Sequence, residues 1–479
     1  MPTSYLRPVR LRRAVPSLLV LGLALVGAGA CGTDAPEQAT ASDGPSPVDA
    51  SSAPPTRQSL SETDVPHSAR STGTPDDEGP ALTWYRDISP MVERHCGSCH
   101  VEGGQGTGDF TDPDTVSAFS PAMINSVHAR RMPPPASDPE CREYIGADRW
   151  VAPPDFTERL QAWVDDGAPL GSPEDHVPVP PIAMRLDNPD LEVRLPAPYR
   201  PTFSDPANPG NEYRCFVVEH GQDETFYIRG MAPVIDREDL VHHIVLFKAR
   251  RDDVPAHDDW NAGYDCIDMT FFVGSGGVGD LLSGDSGMIS AWAPGSQAVH
   301  FADDAGIRMD PDHVFIMQMH YFDGSAGNPQ PDLSGYEFIT ADSARPNIIM
   351  APFGPTGFRI PAGAENHTEA FSITMPLNLH LHGVMPHMHY LGQSYHMWFT
   401  ERGNEQCVVS SDAYDFDNQL TYMFEEPIRI RAGSEIGFRC TWNNSPSNPN
   451  LVHDPPVEVR YGERTDEEMC FGFALISIN

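Results

Sequence analysis

Lysine is all but missing from this chain: Lys248 is the only one in 479 residues. With arginine counted, 31 basic residues face 68 acidic ones, for a net charge of −37. Such a chain has no basic patch with which to neutralise a phosphate backbone or settle on anionic lipid, so nucleic-acid binding and electrostatic membrane attachment are set aside. The acidity serves solubility or a salty habitat, with docking of a basic redox partner as the lesser alternative. Beyond residue 30 no stretch approaches the ~18 apolar residues of a membrane-spanning helix. The helical zinc-hydrolase motif H-E-x-x-H is also absent, which removes that class of enzyme.

The N-terminus is a targeting segment. Arg7, Arg10, Arg12 and Arg13 precede the apolar run SLLVLGLALVGAGA, which ends in small residues before Cys31. This is an export signal over residues 1–31. Small residues directly before a cysteine resemble a bacterial lipoprotein processing site, with Cys31 acylated; Ala28 stands where such sites carry leucine, so ordinary cleavage near Ala30 is the alternative. Either route exports the protein to the periplasm or cell surface, where disulfides are permitted. The only membrane attachment expected is that N-terminal lipid. Residues 32–80 contain Thr, Ser, Ala, Pro, Asp and Glu with almost nothing large and apolar, and read as a flexible tether.

Two regions of different character follow. Residues 81–175 form a small unit with helical spacing at Ile88–His95 and Phe156–Asp165, where Leu160, Trp163 and Val164 share a stripe. After the proline-rich joint HVPVPPIAM, short apolar or alternating runs recur between Gly, Pro, Asn and Asp: RCFVVE, ETFYIRG, HHIVLFKA, HVFIMQMHYF, EPIRIRAG, CFGFALISI. That is a β-sandwich pattern, and its length calls for two sandwiches, residues 185–345 and 346–479. The predicted fold is therefore mainly β, with a small α-helical unit in front.

Cys96-Gly-Ser-Cys99-His100 is C-x-x-C-H, the attachment signature of c-type haem. Two thiols on one helical turn can form thioethers to the vinyl groups while the adjacent imidazole ligates the iron. One such motif implies one haem and a c-type cytochrome domain. The sixth ligand is Met132, in the proline-stiffened RRMPPP, with Met123 and His128 as alternatives.

The β region carries three histidine groups: His242-His243 opening IVLF, His320 in MQMHYF, and HLHGVMPHMHYLG from His380 to Gly392. Residues i and i+2 of a strand share a face, so His387 and His389 can aim at one point, and so can His380 and His382. Read in order, HHIVLF, WAPG at Trp292–Gly295, QMHY at Gln318–Tyr321, HMH at His387–His389 and TDEEMC at Thr465–Cys470 resemble the copper type II, ascorbate-dependent monooxygenases, the family of peptidylglycine α-hydroxylating and dopamine β-monooxygenases. The resemblance covers roughly residues 185–479 and implies two tandem jelly-roll-like copper domains. It implies one copper on His242, His243 and His320, and a second, where oxygen binds, on His387, His389 and Met469. It also implies disulfides Cys215–Cys266 and Cys440–Cys470; Cys141 and Cys407 are left over, either bridged between domains or free. Imidazole suits copper in both redox states and a thioether favours Cu(I), in agreement with this ligand set. His380 and His382 are then structural.

The peptide-amidating branch of that family grips a substrate carboxylate with an arginine two residues before its H-x-H and a tyrosine four residues after its methionine. Here those positions are Met385 and Phe473, so an apolar or aromatic C–H bond, or another small molecule, is the expected substrate. The expected protein is an exported copper monooxygenase that uses O₂ and an external donor, ascorbate-like or a redox protein, through its own haem. The alternative is a haem- and copper-binding electron-transfer or copper-handling protein without hydroxylase activity.

Overall fold

The computed structural model describes residues 81–102, 106–179, 184–204, 210–254, 260–266, 284–293, 296–302, 305–323, 327–462 and 464–478. The export signal, Cys31 and the tether lie outside these residues, as do Pro294 and Gly295 of the WAPG motif.

Three helices build the N-terminal unit. Helix α1, Ser89–Cys96, continues a wide helical turn at Trp84–Ile88; α2 spans Pro113–His128 and α3 spans Phe156–Asp165. The carboxylate of Asp112 accepts the free N–H groups of Asp114 and Thr115 at the start of α2, and Pro113 sits where its missing N–H costs no bond. Spacing of apolar residues predicts the other two helices but not α2, whose stripe is broken by serines and Pro121. The helices close on Trp84, Ile88, Val92, Val116, Phe156, Leu160 and Trp163, with the rings of Trp84 and Trp163 centred 5.5 Å apart.

The rest of the described chain is β. The first sandwich uses β1 (Leu191–Arg194), β2 (Asn211–Val218), β3 (Phe226–Val234), β4 (Val241–Arg250), β5 (Tyr264–Asp265), β6 (Gly287–Trp292), β7 (Val299–His300), β8 (Ile307–Met309), β9 (His313–Phe322) and β10 (Gly335–Ala341). One sheet runs β5-β2-β9-β4-β6; the other runs β1-β10-β3-β7, with β8 also on β3. Phe315 of the first sheet stacks on Phe338 of the second at 5.0 Å, so the core lies between them. Strand β9 sits between two neighbours and under the opposite sheet, which is why nine of its ten residues are buried.

The second sandwich uses β11 (Ile348–Phe353), β12 (Arg359–Ile360), β13 (His367–Thr374), β14 (Leu379–His387), β15 (Gly392–Glu401), β16 (Asn404–Ser411), β17 (Tyr422–Ile430), β18 (Glu435–Trp442), β19 (Val459–Arg460) and β20 (Phe471–Ile478). Its sheets run β11-β20-β14-β17 and β13-β18-β15-β16, with β12 and β19 forming a separate pair. The edge strand β13 has no fully buried residue, in contrast to central β20.

The two sandwiches share apolar surface. Met385, Met423, Met469, Phe471, Phe473 and Leu475, all from the second, join the buried core of the first. That shared face places the ends of β4, β9, β14 and the start of β20 together. Disulfides tie Cys215 of β2 to Cys266, Cys440 of β18 to Cys470, and Cys141 to Cys407 of β16. The question left open for Cys141 and Cys407 is thereby answered: they bridge the segment before α3 to the second sandwich.

Candidate metal centres

Adjacent residues of a regular strand point to opposite faces, so His242 and His243 should not converge. They do so because the β4–β9 register slips between Val241 and His243: Val241 lies opposite Tyr321 and His243 opposite His320, leaving His242 as the extra residue of a bulge. The Nδ1 atoms of His242, His243 and His320 then lie 3.1, 3.3 and 3.3 Å from one another. Three points at that spacing sit about 1.9 Å from their common centre, close to the ~2.0 Å of a metal–imidazole bond.

Their outer nitrogens explain which atoms face inward. His320 Nε2 donates to Asn211 Oδ1 at 2.8 Å, and His242 Nε2 faces Asp417 Oδ1 at 3.4 Å. Both Nδ1 atoms therefore present lone pairs. The ring of Tyr213 stacks flat on His320 at 4.1 Å. Burial holds His243 and His320 well below the ordinary imidazole range, so both are neutral and ready to bind a cation. Converging lone pairs without a cation repel, and the donor set fits one copper.

The second group is assembled differently. Strand β14 ends at His387, and His389 lies in the turn that Gly392 N–H closes onto the His389 carbonyl. The expectation that both occupy one regular strand is corrected in this respect. Each ring is oriented through Nδ1: His387 donates to Gln419 Oε1 at 2.6 Å and His389 donates to the Glu467 carbonyl at 3.0 Å. Nε2 is left as the lone-pair atom of both, opposite to the first group. The rings lie 5.1 Å apart at 82°. Burial pushes His387 down to about 4 and His389 to about 3. Met388 points away into the core of the second sandwich.

Glu468 holds the His387–His389 segment and the Met469 segment together. It is fully buried, and its Oε2 accepts the backbone N–H of His389 and Met469 and the indole N–H of Trp442, while Oε1 accepts the N–H of Leu391. Burial raises its carboxyl to about 7, against the pull of these donors. The Cys440–Cys470 disulfide anchors the chain one residue beyond Met469. Two imidazoles and a thioether are a soft set suited to copper.

Between the groups lies an apolar pocket of about 460 Å³, counted out to open solvent. His243 lines one side, His387 and Met469 the other, and Val245, Met288, Trp292, Met385 and Phe473 lie between. The indole N–H of Trp292 is buried without a partner, the one such donor on this lining among the described residues. His380 and His382 stand apart: His382 Nε2 bonds Ser477 Oγ at 2.9 Å, and His380 pairs across to Arg429 and Ser477. Sequence reading missed Gln419, Phe416, Asp417, Asn211 and Tyr213. DFDNQL has no metal-ligand spacing, and only the fold carries it to the histidines.

Cys96 closes α1, and Cys99 and His100 follow, both thiols unbridged. His100 Nδ1 donates to the Thr107 carbonyl at 2.9 Å and its ring stacks on Phe110 at 4.3 Å. A Cβ on Gly106 would stand 2.6 Å from that ring, so the close approach requires glycine. Burial pushes the Cys96 thiol up to about 12, the opposite of a dithiol redox centre. Of the sixth-ligand candidates, Met132 is 42% exposed, Met123 is buried among the helices, and His128 Nε2 is engaged by Thr157 Oγ1 at 3.2 Å. Unbridged thiols beside an oriented imidazole fit a covalent haem.

Comparison with known families covers the stretches that carry the two histidine groups. The family model of the copper type II ascorbate-dependent monooxygenase N-terminal domain matches residues 200–326, and that of its C-terminal domain matches residues 362–475. No curated protein matches the chain. Among solved structures, an allantoicase is 12% identical over 48% of this chain and 78% of its own, with a TM-score of 0.15. The major capsid protein P2 of bacteriophage PM2 is 6% identical over 56% of this chain and 98% of its own, with a TM-score of 0.23. These values are too low to bear on the fold. The paired domain matches, together just over half of the chain, make this protein a member of the copper type II ascorbate-dependent monooxygenases, a copper-dependent oxidoreductase.

Proposed function

We propose that the enzyme hydroxylates a C–H bond of a small, largely apolar substrate held between the two histidine groups. Substrate, O₂, two electrons and two protons would give the alcohol and water. The observation that carries this reading is the pocket itself: His243 on one wall, His387 and Met469 on the other, and apolar side chains between. Met385 and Phe473 offer no partner for a carboxylate.

His242, His243 and His320 would hold one copper through Nδ1; His387, His389 and Met469 would hold the other through Nε2 and sulfur. Bound copper supplies electron storage and oxygen activation. Gln419 and the Glu467 carbonyl keep the proton on Nδ1 of His387 and His389.

Cys96, Cys99 and His100 would carry the haem, with Met132 as its sixth ligand, and the N-terminal unit would serve as a fused electron donor. A net charge of −37 repels free ascorbate at low ionic strength, which favours such a donor. Export is supported by the signal-like N-terminus and by three disulfides; acylation of Cys31 would anchor the protein to a bacterial envelope.

Metal and haem analysis of the purified full chain tests the scheme. Two coppers and one haem are expected, with one copper lost in His387→Ala. Met469→Ile should retain copper on the first group and lose O₂-dependent product. Zinc in place of copper, or undiminished product from Met469→Ile, overturns it.

A further inference from the structure

The β16–β17 connection, residues 412–421, touches both histidine groups. Gln419 accepts from His387 Nδ1, and its own amide donates to the Phe416 carbonyl at 2.8 Å, which fixes its orientation. The buried ring of Phe416 is centred 6.4 Å from His243, 6.5 Å from His387 and 5.9 Å from His389. Asp417 faces His242. At the other end of the loop, the Tyr414 hydroxyl donates to the Met388 carbonyl and accepts the Met388 N–H, gripping the residue between the two histidines of H-x-H.

A connection this long between two strands would ordinarily move. Here both of its roots are held from behind by a segment of the N-terminal unit. The N–H of Asp138 donates to the Ser410 carbonyl at 2.7 Å and Ser410 N–H returns a bond to Ser137 Oγ, on β16. On β17, the Tyr422 hydroxyl accepts the Ser137 N–H and the Ile145 N–H donates to the Met423 carbonyl. The ring of Tyr144 packs edge-on against Tyr422 at 4.7 Å. Asn418 of the loop donates to the Pro135 carbonyl, and the Cys141–Cys407 disulfide makes the attachment covalent. The same segment continues to Asp148 and Arg149, which hold Arg94 and His95 of α1, the helix that ends in Cys96.

We infer that residues 133–149 are a disulfide-locked brace, and that through the 412–421 loop this brace positions both histidine groups at once. Gln419 and Phe416 are the positioning residues, acting on the imidazoles, and Gln419 also lines the pocket between the two groups. Only the copper readout below rests on the reading of those groups as metal centres; the exchange readout does not. One consequence is that the N-terminal unit shapes the monooxygenase domains whether or not it delivers electrons.

The test is amide hydrogen exchange on the metal-free full chain, comparing the native protein with the double variant Cys141→Ser, Cys407→Ser. Exchange at residues 387–391 and 414–423 should quicken by about tenfold or more, while β3 and β10 of the first sandwich stay protected. Asn418→Ala, which keeps the disulfide, should produce a smaller change at the same residues and decides the matter if the double variant does not fold. In copper-loaded protein, dipolar electron paramagnetic resonance should show a broader Cu(II)–Cu(II) distance distribution in either variant, with both ions retained. Native-like exchange at both segments in the folded variants overturns the brace. Fewer than two coppers in the native protein would instead overturn the metal-site reading, and the exchange result would still decide the brace.

Discussion

Glu468 gives the sharpest test of how the His387–His389 group is built. Its two oxygens take four donors: His389 N–H at 2.9 Å, Met469 N–H at 3.2 Å and Trp442 Nε1 at 2.9 Å on Oε2, and Leu391 N–H at 2.7 Å on Oε1. Glu468→Gln keeps the shape but replaces one acceptor oxygen with an NH₂ group. The amide oxygen would turn to the three donors, leaving NH₂ opposed to the Leu391 N–H at hydrogen-bond distance. One buried donor without an acceptor costs about 1–3 kcal/mol, and above about pH 8, where a carboxyl held at about 7 is ionised, the three remaining bonds also lose their charge assistance. A total of about 3 kcal/mol is expected, which corresponds to about a hundredfold faster opening at these amides. The assay is hydrogen exchange at residues 387–391 and 467–470, followed by copper titration. Loosening the outer support of a ligand pair lowers metal affinity by roughly 10–100-fold, and the His242–His243–His320 group should be unaffected. Exchange within a factor of about two of native at the three backbone amides of His389, Leu391 and Met469, a difference below 0.5 kcal/mol, would refute the reasoning.

Other consequences follow from single side chains. Lys248 is buried and held at about 8 against an ordinary 10.5, because desolvation disfavours its charge. The unfolded chain therefore binds more protons between those values, so stability should rise as pH rises from about 8 to 10.5, and below about 8 the penalty is present in full. Lys248→Met should accordingly stabilise the protein to urea by about 1–3 kcal/mol at pH 7 and by less at pH 10, after allowing for the lost bond to the Arg308 carbonyl; equal effects at both pH values would contradict the assignment. A Cβ on Gly354 would stand 1.9 Å from the Cys470 carbonyl, so Gly354→Ala must push β11 from β20 beside Met469, with a loss of about 1–3 kcal/mol in denaturant titration. His382→Gln should keep the full complement of copper, since His382 is spent on Ser477, whereas His387→Ala should lose one ion; atomic absorption distinguishes them.

The chemistry of this protein is legible in its residue types and their order. The haem proposal rests on the C-x-x-C-H spacing, in which both thiols and the imidazole come from one turn of chain. The sandwich pattern follows from alternation and turn residues, and the family motifs lie in sequence order. Helix α2 was less legible, since its signal is the Asp112 cap and not an apolar stripe. What sequence could not convey is how consecutive histidines converge. His242 and His243 share a point only because a bulge opposite β9 adds one residue to β4, and a bulge is a property of two strands, not one. The orienting groups are equally remote: Asn211 lies 109 residues from His320, Gln419 lies 32 from His387, and Cys141 lies 266 from Cys407. Local spacing picked out the side chains proposed to hold a metal or a haem. Tertiary packing alone decided which nitrogen each imidazole presents, what lies between the two groups, and that a segment of the N-terminal unit stands behind both.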